Sequence, residues 1–362
     1  MKIGIIGAGI VGSSAAYYLS KFGYKPVIFE KDGVATHASG FAQGGLNPNV
    51  NPFSIDFKLH KLAFKLHEEI KSDSYLKNLL NPEYVKKSII LLATNRKEQL
   101  SFKPLLKIFK NTSSSIKWLN PNEIQDIDPR VSNEILGGVY CEDYMEVNAL
   151  KLSELFVKAS REMGAEYVLG EVDNILVKNG SVVGLEVNGY KENFDVILIC
   201  SGPWSTLLLE KNHINIPLFP LKGQILRLKN TGLDFKVAFS WGKDYLTQKE
   251  DGFLWVGTTE EKVGFDHEIT SKAKELILNN VEKFFPEIKS LKIIKQTACL
   301  RPVTPDNLPI IGKTNISGLY IGTGAGRKGI KLGPAIGNLA SKMILNKDLG
   351  LDISHFSINR FL

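Results

Sequence analysis

The chain opens on an apolar run, Lys2 to Ile6, that halts at Gly7 and passes into an Ala-rich stretch through Ala15, Ala16 and Leu19, ending at Gly23. A second apolar run, Pro26 to Glu30, follows. The order predicts strand, helix and strand, because parallel strands need a crossover helix between them. From Gly33 to Pro52 the periodicity disappears; the segment is rich in Gly and Ser and too long for an idle connection in a compact domain, which marks it as a ligand-holding loop. Phe53 to Ile70 has helical spacing, Ser88 to Ala93 reads as a strand and Pro104 to Lys110 as a short helix. Asn120 caps a further helix, with Pro121 at its first position and Glu123 in its first turn.

From Asn148 a helix runs to Met163, carrying Leu150, Leu155 and Val157, with Gly164 as its terminator. Tyr167 to Leu169 reads as a strand, and Asn174 to Lys178 and Ser181 to Asn188 form a hairpin around Asn179-Gly180. Asp195 to Cys200 reads as a strand, apolar from Val196 onward as a strand buried in a parallel sheet must be, and stops at Ser201-Gly202. The pattern then becomes mostly period two: Gly223 to Leu228, Val237 to Phe239, Tyr245 to Gln248, Phe253 to Thr258 and Ile293 to Arg301, interrupted by one helix, Ser271 to Phe285. Leu319 to Gly322 restores the opening grammar of strand, glycine turn and helix, the helix spanning Gly329 to Leu345. The fold class expected is α/β: a Rossmann-like dinucleotide-binding domain of discontinuous segments (1–85, 145–216 and 308–362) with an inserted antiparallel-sheet substrate domain (86–144 and 217–307).

At 362 residues, 43% hydrophobic and 23% charged, the chain can bury about two cores, which excludes disordered, collagenous and disulfide-scaffold classes. Cys141, Cys200 and Cys299 are odd in number and form no CxxC pair, so no disulfide framework and no metal site is expected, and a reducing, cytoplasmic compartment fits. Lys2 before an apolar run imitates a signal peptide, but the run is glycine-rich and leads straight into the βαβ pattern. Asp or Lys interrupts every hydrophobic segment, so no transmembrane span is expected, while a peripheral membrane contact stays open. The net charge of +7 comes from scattered residues without a basic block, which reads as solvated lysine-covered faces rather than a nucleic-acid surface.

Gly7-Ala8-Gly9-Ile10-Val11-Gly12 is a G-x-G-x-x-G placed after a strand and at a helix start, where its physics applies. Gly7 permits the tight turn, Gly9 lets backbone approach a pyrophosphate and Gly12 lets helix and strand pack closely. Glu30 ends the second strand 18 residues past Gly12, where an acid accepts hydrogen bonds from ribose hydroxyls. The fingerprint serves NAD and FAD alike.

Beyond that fingerprint the chain resembles the D-amino acid oxidase/glycine oxidase family of FAD-dependent enzymes over nearly its whole length. The resemblance rests on GIIGAGIVGSSAAYYLSKFGYKPVIFEK at the N-terminus, THASGFAQGG (Thr36 to Gly45), LKGQ (Leu221 to Gln224) and YLTQKEDGFLWVGTTEE (Tyr245 to Glu261). It continues through LRPVTPDNLPIIG (Leu300 to Gly312) and GTGAGRKGIKLGPAIG (Gly322 to Gly337). NAD enzymes do not pair such a C-terminal turn with the N-terminal fingerprint. The resemblance implies FAD held by Gly7, Gly9, Ile10, Val11, Gly12, Glu30 and Lys31, and by Thr36, His37, Ser39, Gly40 and Gly44 of the second loop. For His37 a loop histidine without a role is an equal reading. Val172 is implied at the adenine and Ser201, Gly202 and Trp204 along the dinucleotide. Around Gly326, Lys328, Gly329, Ile330 and Lys331, backbone N–H groups at a helix start are implied to face the flavin pyrimidine.

By the same resemblance Arg301 binds a substrate carboxylate as a bidentate fork, which lysine cannot copy. Tyr245 assists or is a core tyrosine, and Arg327 lines the pocket or closes it. In the sarcosine-oxidase branch a cysteine upstream of the matching TPD segment carries the flavin covalently; Cys299 stands in a similar place, but Arg301 departs from that branch, and a buried inert thiol with non-covalent FAD is the preferred reading. The implied reaction oxidises the C–N bond of a small amino acid (a D-amino acid, glycine, proline or an N-methyl amino acid) by hydride transfer to flavin N5. Electrons then pass to a quinone or dye, or to dioxygen. A flavin-carrying electron-transfer subunit working with partner chains, and a 2-hydroxy acid dehydrogenase, are the alternatives.

Overall fold

The computed structural model describes residues 1–109, 116–230 and 232–361. A six-stranded sheet runs, edge to edge, through Ile310–Lys313, Leu319–Thr323, Val196–Ile199, Ile3–Ile6, Val27–Glu30 and Glu166–Leu169. It is parallel except for the first of these, which pairs antiparallel with its neighbour. Its apolar strands are buried on both faces. Ile3, Ile5, Ile28 and Leu198 join the core under the helix Ile10–Lys21, whereas Ile6, Phe29, Ile197 and Ile199 join the core against the three-stranded sheet Val172–Lys178, Ser181–Val187 and Tyr190–Asn193. The alternation of strand side chains thus divides one sheet between two cores.

The second large sheet has eight strands, in the order Ile293–Val303, Phe219–Lys229, Phe253–Gly257, Asp244–Gln248, Val237–Trp241, Ser88–Ala93, Gly137–Cys141 and Ile116–Leu119. Its outer face packs on the helix Ser271–Glu282 through Leu226, Val256, Ile277 and Val281. Thr270 caps that helix by accepting from Ala273 N at 3.2 Å. This sheet is mixed rather than antiparallel: Val237–Trp241 runs parallel to Ser88–Ala93, because the polypeptide returns to the older strand after an excursion of more than a hundred residues.

Several expected elements shift. The helix expected from Phe53 begins at Phe57 and ends at Ser72, since Asn51 closes a turn by accepting from Phe53 N, and Phe53 is left 83% exposed. The short helix expected at Pro104 to Lys110 spans Arg96–Phe109 with Pro104 inside it; Lys110 lies outside the described residues. Proline there reads as a helix start, whereas the start lies at Asn95, which accepts from Glu98 N at 3.0 Å. The helix expected to reach Phe285 stops at Glu282, and Phe284 and Phe285 turn into the core. Ile116–Leu119, Gly137–Cys141, Tyr190–Asn193 and Ile310–Lys313 are strands without an expectation behind them.

The helix Gly329–Ile344 contains Pro334, which has no N–H to give the Ile330 carbonyl four residues back. His67 supplies the missing donor. Its Nε2 lies 3.2 Å from the Ile330 oxygen and 3.1 Å from that of Lys331, and its Nδ1 lies 2.7 Å from the Tyr84 hydroxyl. Carbonyls only accept, so Nε2 carries the proton and Nδ1 accepts from Tyr84. Burial pushes the imidazole pKa down to about 4. A buried neutral histidine contributes stability in full above its ordinary pKa of 6.5, lost as pH falls through 6.5 towards 4. The loss from this residue is up to about 3 kcal/mol. His67→Phe is expected to cost about 2 kcal/mol at pH 7.5 in denaturant unfolding, and to flatten the decline between pH 6.5 and 4. A decline as steep as the wild type's would refute the assignment.

Candidate active site

The first strand ends at Gly7, whose φ of +102° favours glycine, and a Cβ on Gly12 would collide with the Gly7 carbonyl. The turn is held from two sides. Ala8 N donates to Glu30 Oε2 at 2.9 Å, and the other Glu30 oxygen accepts from Asp32 N at 3.2 Å. The loop from Gly33 folds back over it: Ala35 N donates to the Ala8 carbonyl at 3.2 Å, and Ile10 N to Ser39 Oγ at 3.0 Å. Side chains larger than hydrogen do not fit along this path, since a Cβ on Gly40 would meet the Ala35 carbonyl and one on Gly44 that of Val147.

A cavity of about 400 Å³ lies beyond the turn, within the range of small-molecule and cofactor sites. Gly7, Gly9, Ile10, Val11, Glu30, Lys31, Thr36, His37, Ser39 and Gly44 line one end, together with Val172, Ser201, Gly202 and Trp204. Arg301, Tyr245 and Arg327 line the other, with Gly326, Gly329, Ile330 and Lys331 between. Gly12 and Gly40 lie outside the lining and shape the turn behind it. Lys328 is also outside, its ammonium 2.7 Å from Asp56 Oδ2. His60 Nε2 reaches the same oxygen at 3.2 Å, and these two partners hold the Asp56 carboxyl well below the usual range. His37 is 2.7 Å from Asp32 and packs on the Trp204 ring.

The helix Gly329–Ile344 starts at the cavity, directly after the single turn Gly326–Lys328, and no side chain caps it. Burial, and then Lys328, bring the Lys331 ammonium down to about 8.

At the far end, Arg301 and Cys299 project from one strand. The Arg301 guanidinium lies across Gly223 of the neighbouring strand, where a Cβ would strike all its terminal atoms. Its hydrogen bonds go to neutral acceptors, Thr258 Oγ1 at 2.8 Å and the Thr259 carbonyl at 3.3 Å, and among the described residues no carboxylate pairs with it. Burial raises the Tyr245 pKa and keeps the phenol protonated, and burial likewise raises the Cys299 thiol. Arg327 donates to the Lys243 carbonyl at 2.9 Å and lies 3.5 Å from Glu260. Sequence reasoning assigned no role to Gly223, Thr258 or Thr259. Gly223 carried a usable signal, a glycine inside a strand where another group approaches closely; the threonines carried none. The described residues hold no cluster of three or more His, Cys, Asp or Glu suited to a metal, and no described helix is long and apolar enough to cross a membrane.

A glycine turn held by Glu30 at the end of the second strand and a helix start without a side-chain cap, joined in one cavity to a sheet-borne arginine, fit the flavin-dependent oxidoreductase class. Residues 2–343 match the family of FAD dependent oxidoreductases known as DAO, and the chain belongs to it. Among its relatives is glycine oxidase of Bacillus subtilis, 24% identical over 98% of this chain and 96% of the relative. D-amino acid dehydrogenase of Neisseria gonorrhoeae is 23% identical over 100% and 99%. The solved glycine oxidase of Bacillus cereus superposes with a TM-score of 0.88 at 26% identity, over 96% of this chain and 98% of that one. The protein is an enzyme with FAD as its cofactor. Gly12→Ala is expected to yield protein that has lost most of its flavin, read as the absorbance released on denaturation; wild-type loading would show the turn to be more tolerant than its contacts indicate.

Proposed function

We propose that the enzyme oxidises the C–N bond of a small amino acid whose carboxylate is clamped by Arg301. The observation that carries this reading is the half-buried guanidinium in the cavity whose partners are neutral oxygens. A half-buried cation without a counterion still carries a desolvation cost, and a bound carboxylate offsets that cost while the planar fork fixes its orientation. Tyr245, with its proton retained, donates to the same carboxylate, and Arg327 borders the entrance between the Lys243 carbonyl and Glu260. The names of the relatives, glycine oxidase and D-amino acid dehydrogenase, support the substrate class.

The flavin supplies the acceptor for the hydride lost by the substrate α-carbon. We place its adenosine end at Glu30 and Val172, its pyrophosphate at Gly9 and Ser39, and its pyrimidine at the N–H groups of Gly329, Ile330 and Lys331. The chain contributes orientation and charge rather than a strong acid or base, and only the ammonium proton of the substrate must leave before transfer. FAD is held without a covalent bond in this reading, since Cys299 is a buried thiol whose pKa burial raises.

Anaerobic addition of glycine, sarcosine, D-amino acids, L-amino acids and 2-hydroxy acids in turn, followed by air, tests the proposal. Bleaching of the flavin band by an amino acid is expected, and recovery in air separates dioxygen from a quinone as acceptor. Bleaching by hydroxy acids alone would overturn it. Arg301→Ala is expected to raise KM strongly and lower kcat/KM by about 3 to 5 kcal/mol of transition-state binding, and near-wild-type kcat/KM in that variant would remove the clamp.

A further inference from the structure

The guanidinium of Arg301 can serve a bidentate ligand only if its free edge is turned into the cavity. Two bonds fix that turn, the shorter to a hydroxyl and the longer, 3.3 Å, from Nη1 to the Thr259 carbonyl. Arg301 Nη2 donates to Thr258 Oγ1 at 2.8 Å, while the Thr258 hydroxyl proton has two carbonyls to reach, Gln224 at 3.1 Å and Thr259 at 3.3 Å, and either choice leaves a lone pair for the arginine. The backbone of Thr258 is anchored separately: its N–H donates to Asp244 Oδ1 at 2.9 Å, and Asp244 Oδ2 accepts from Asn280 at 3.2 Å. Thr258 and Asp244 are both buried, so water does not compete for these bonds.

The anchor sits in a segment with two further ties to the cavity. Lys243 offers its carbonyl to Arg327, and Tyr245, next to Asp244, lines the cavity itself. Gln224, one acceptor for the Thr258 proton, is held by Gln296, which donates to Gln224 Oε1 at 2.9 Å. The Thr258 hydroxyl has a second acceptor in the Thr259 carbonyl at 3.3 Å, and the Gln224 carbonyl also accepts from Thr259 N at 3.2 Å, so with either acceptor the hydroxyl keeps a lone pair for the arginine.

We propose that Thr258 is a positioning residue that sets the plane of the Arg301 guanidinium, with the Asp244 carboxylate holding Thr258 in place. The inference rests on the reading of Arg301 as a carboxylate clamp. It assigns to Thr258 the loss of one charge-assisted bond when the hydroxyl is removed, felt in carboxylate binding and not in flavin loading.

Acetate is a suitable probe, because it presents the carboxylate and little else. Binding of acetate to the flavin-loaded enzyme is measured by calorimetry, and KM and kcat with whichever amino acid bleaches the flavin, for Thr258→Val, Thr258→Ser, Arg301→Lys and the double variant Thr258→Val/Arg301→Lys. Thr258→Val is expected to weaken acetate binding and raise KM by roughly tenfold or more, with kcat changed by less than about threefold and flavin content unchanged. Thr258→Ser, which keeps the hydroxyl, should restore affinity to within about threefold. In the Arg301→Lys background the valine should add little, since residues acting as a unit are not additive. Should valine prevent folding, Thr258→Cys, close to serine in size but a poor acceptor, takes its place in the comparison with Thr258→Ser. Acetate binding that Arg301→Lys weakens and Thr258→Val leaves alone overturns the positioning role with the clamp intact. Binding that neither substitution affects overturns the clamp, and the positioning role with it.

Discussion

Two helices from opposite ends of the chain, Ile10–Lys21 and Gly329–Ile344, touch backbone to backbone, and the placement of both glycine turns follows from that contact. A Cβ on Gly337 would strike the Ser14 hydroxyl and come within 2.6 Å of Ala15 N, and one on Gly333 would meet Ile10 Cγ1 at 2.6 Å. Hydrogen bonds replace the missing side chains: Ser14 Oγ donates to the Gly333 carbonyl at 3.0 Å, and Ser341 Oγ to that of Ala15 at 3.0 Å. Helices separated by ordinary side chains stand 8 to 10 Å apart, roughly. The closer approach brings both N-termini, each following a strand of the same sheet, to one cavity wall. His67 secures the second helix at the turn that Pro334 would otherwise loosen.

Charge around that framework is held in two ways. Several buried ionic groups have ionic partners: Glu146 meets Lys249 at 3.2 Å and Lys87 at 3.6 Å, Arg130 meets Asp128 at 2.6 Å, and the fully buried Lys222 meets Asp266 at 2.8 Å, whereas the buried Asp244 hydrogen-bonds to Thr258 N and Asn280 and the half-buried Arg227 lies over the Trp255 ring. Glu146 also accepts from Gln43, a cavity residue, at 2.8 Å, so one of these clusters braces the site from behind. Arg301 belongs with Asp244 and Arg227, since both its acceptors are neutral. Of the three, Arg301 alone lines the cavity.

Much of this was legible in the residues. The central strands of the parallel sheet, the first helix and the hairpin at Asn179-Gly180 follow from short-range grammar: apolar runs, a terminating glycine, a two-residue turn. The fingerprint glycines and Glu30 were legible because backbone geometry dictates them at fixed spacing. What escaped depends on contacts distant in sequence. Gly137–Cys141 and Ile116–Leu119 are strands by virtue of pairing with Ser88–Ala93 and with each other, and their own residues include two glycines and a lysine. The parallel pairing of Val237–Trp241 has no local signature at all. Thr258 is one of two adjacent threonines at a strand end, and only the fold brings its hydroxyl to Arg301, 43 positions away.

The part of the cavity around Arg301 is a hollow in one face of the eight-stranded sheet. Thr297, Cys299 and Arg301 share that face at period two; Gly223 and Ile225 stand opposite on the next strand, then Gly257, then Tyr245. Two of these positions have no side chain. Arg301 lies over Gly223, and the Tyr245 ring lies near Gly257, where a Cβ would be 3.3 Å from Cε1. The space for the two largest polar groups of the site is therefore made by two glycines of adjacent strands. Because side chains alternate, a slip of one residue in either pairing would place Arg301 against a side chain and turn it to the helical core of Leu226 and Val256. The apolar residues on that hidden face hold the register, so the packing that buries them also aims the arginine into the cavity.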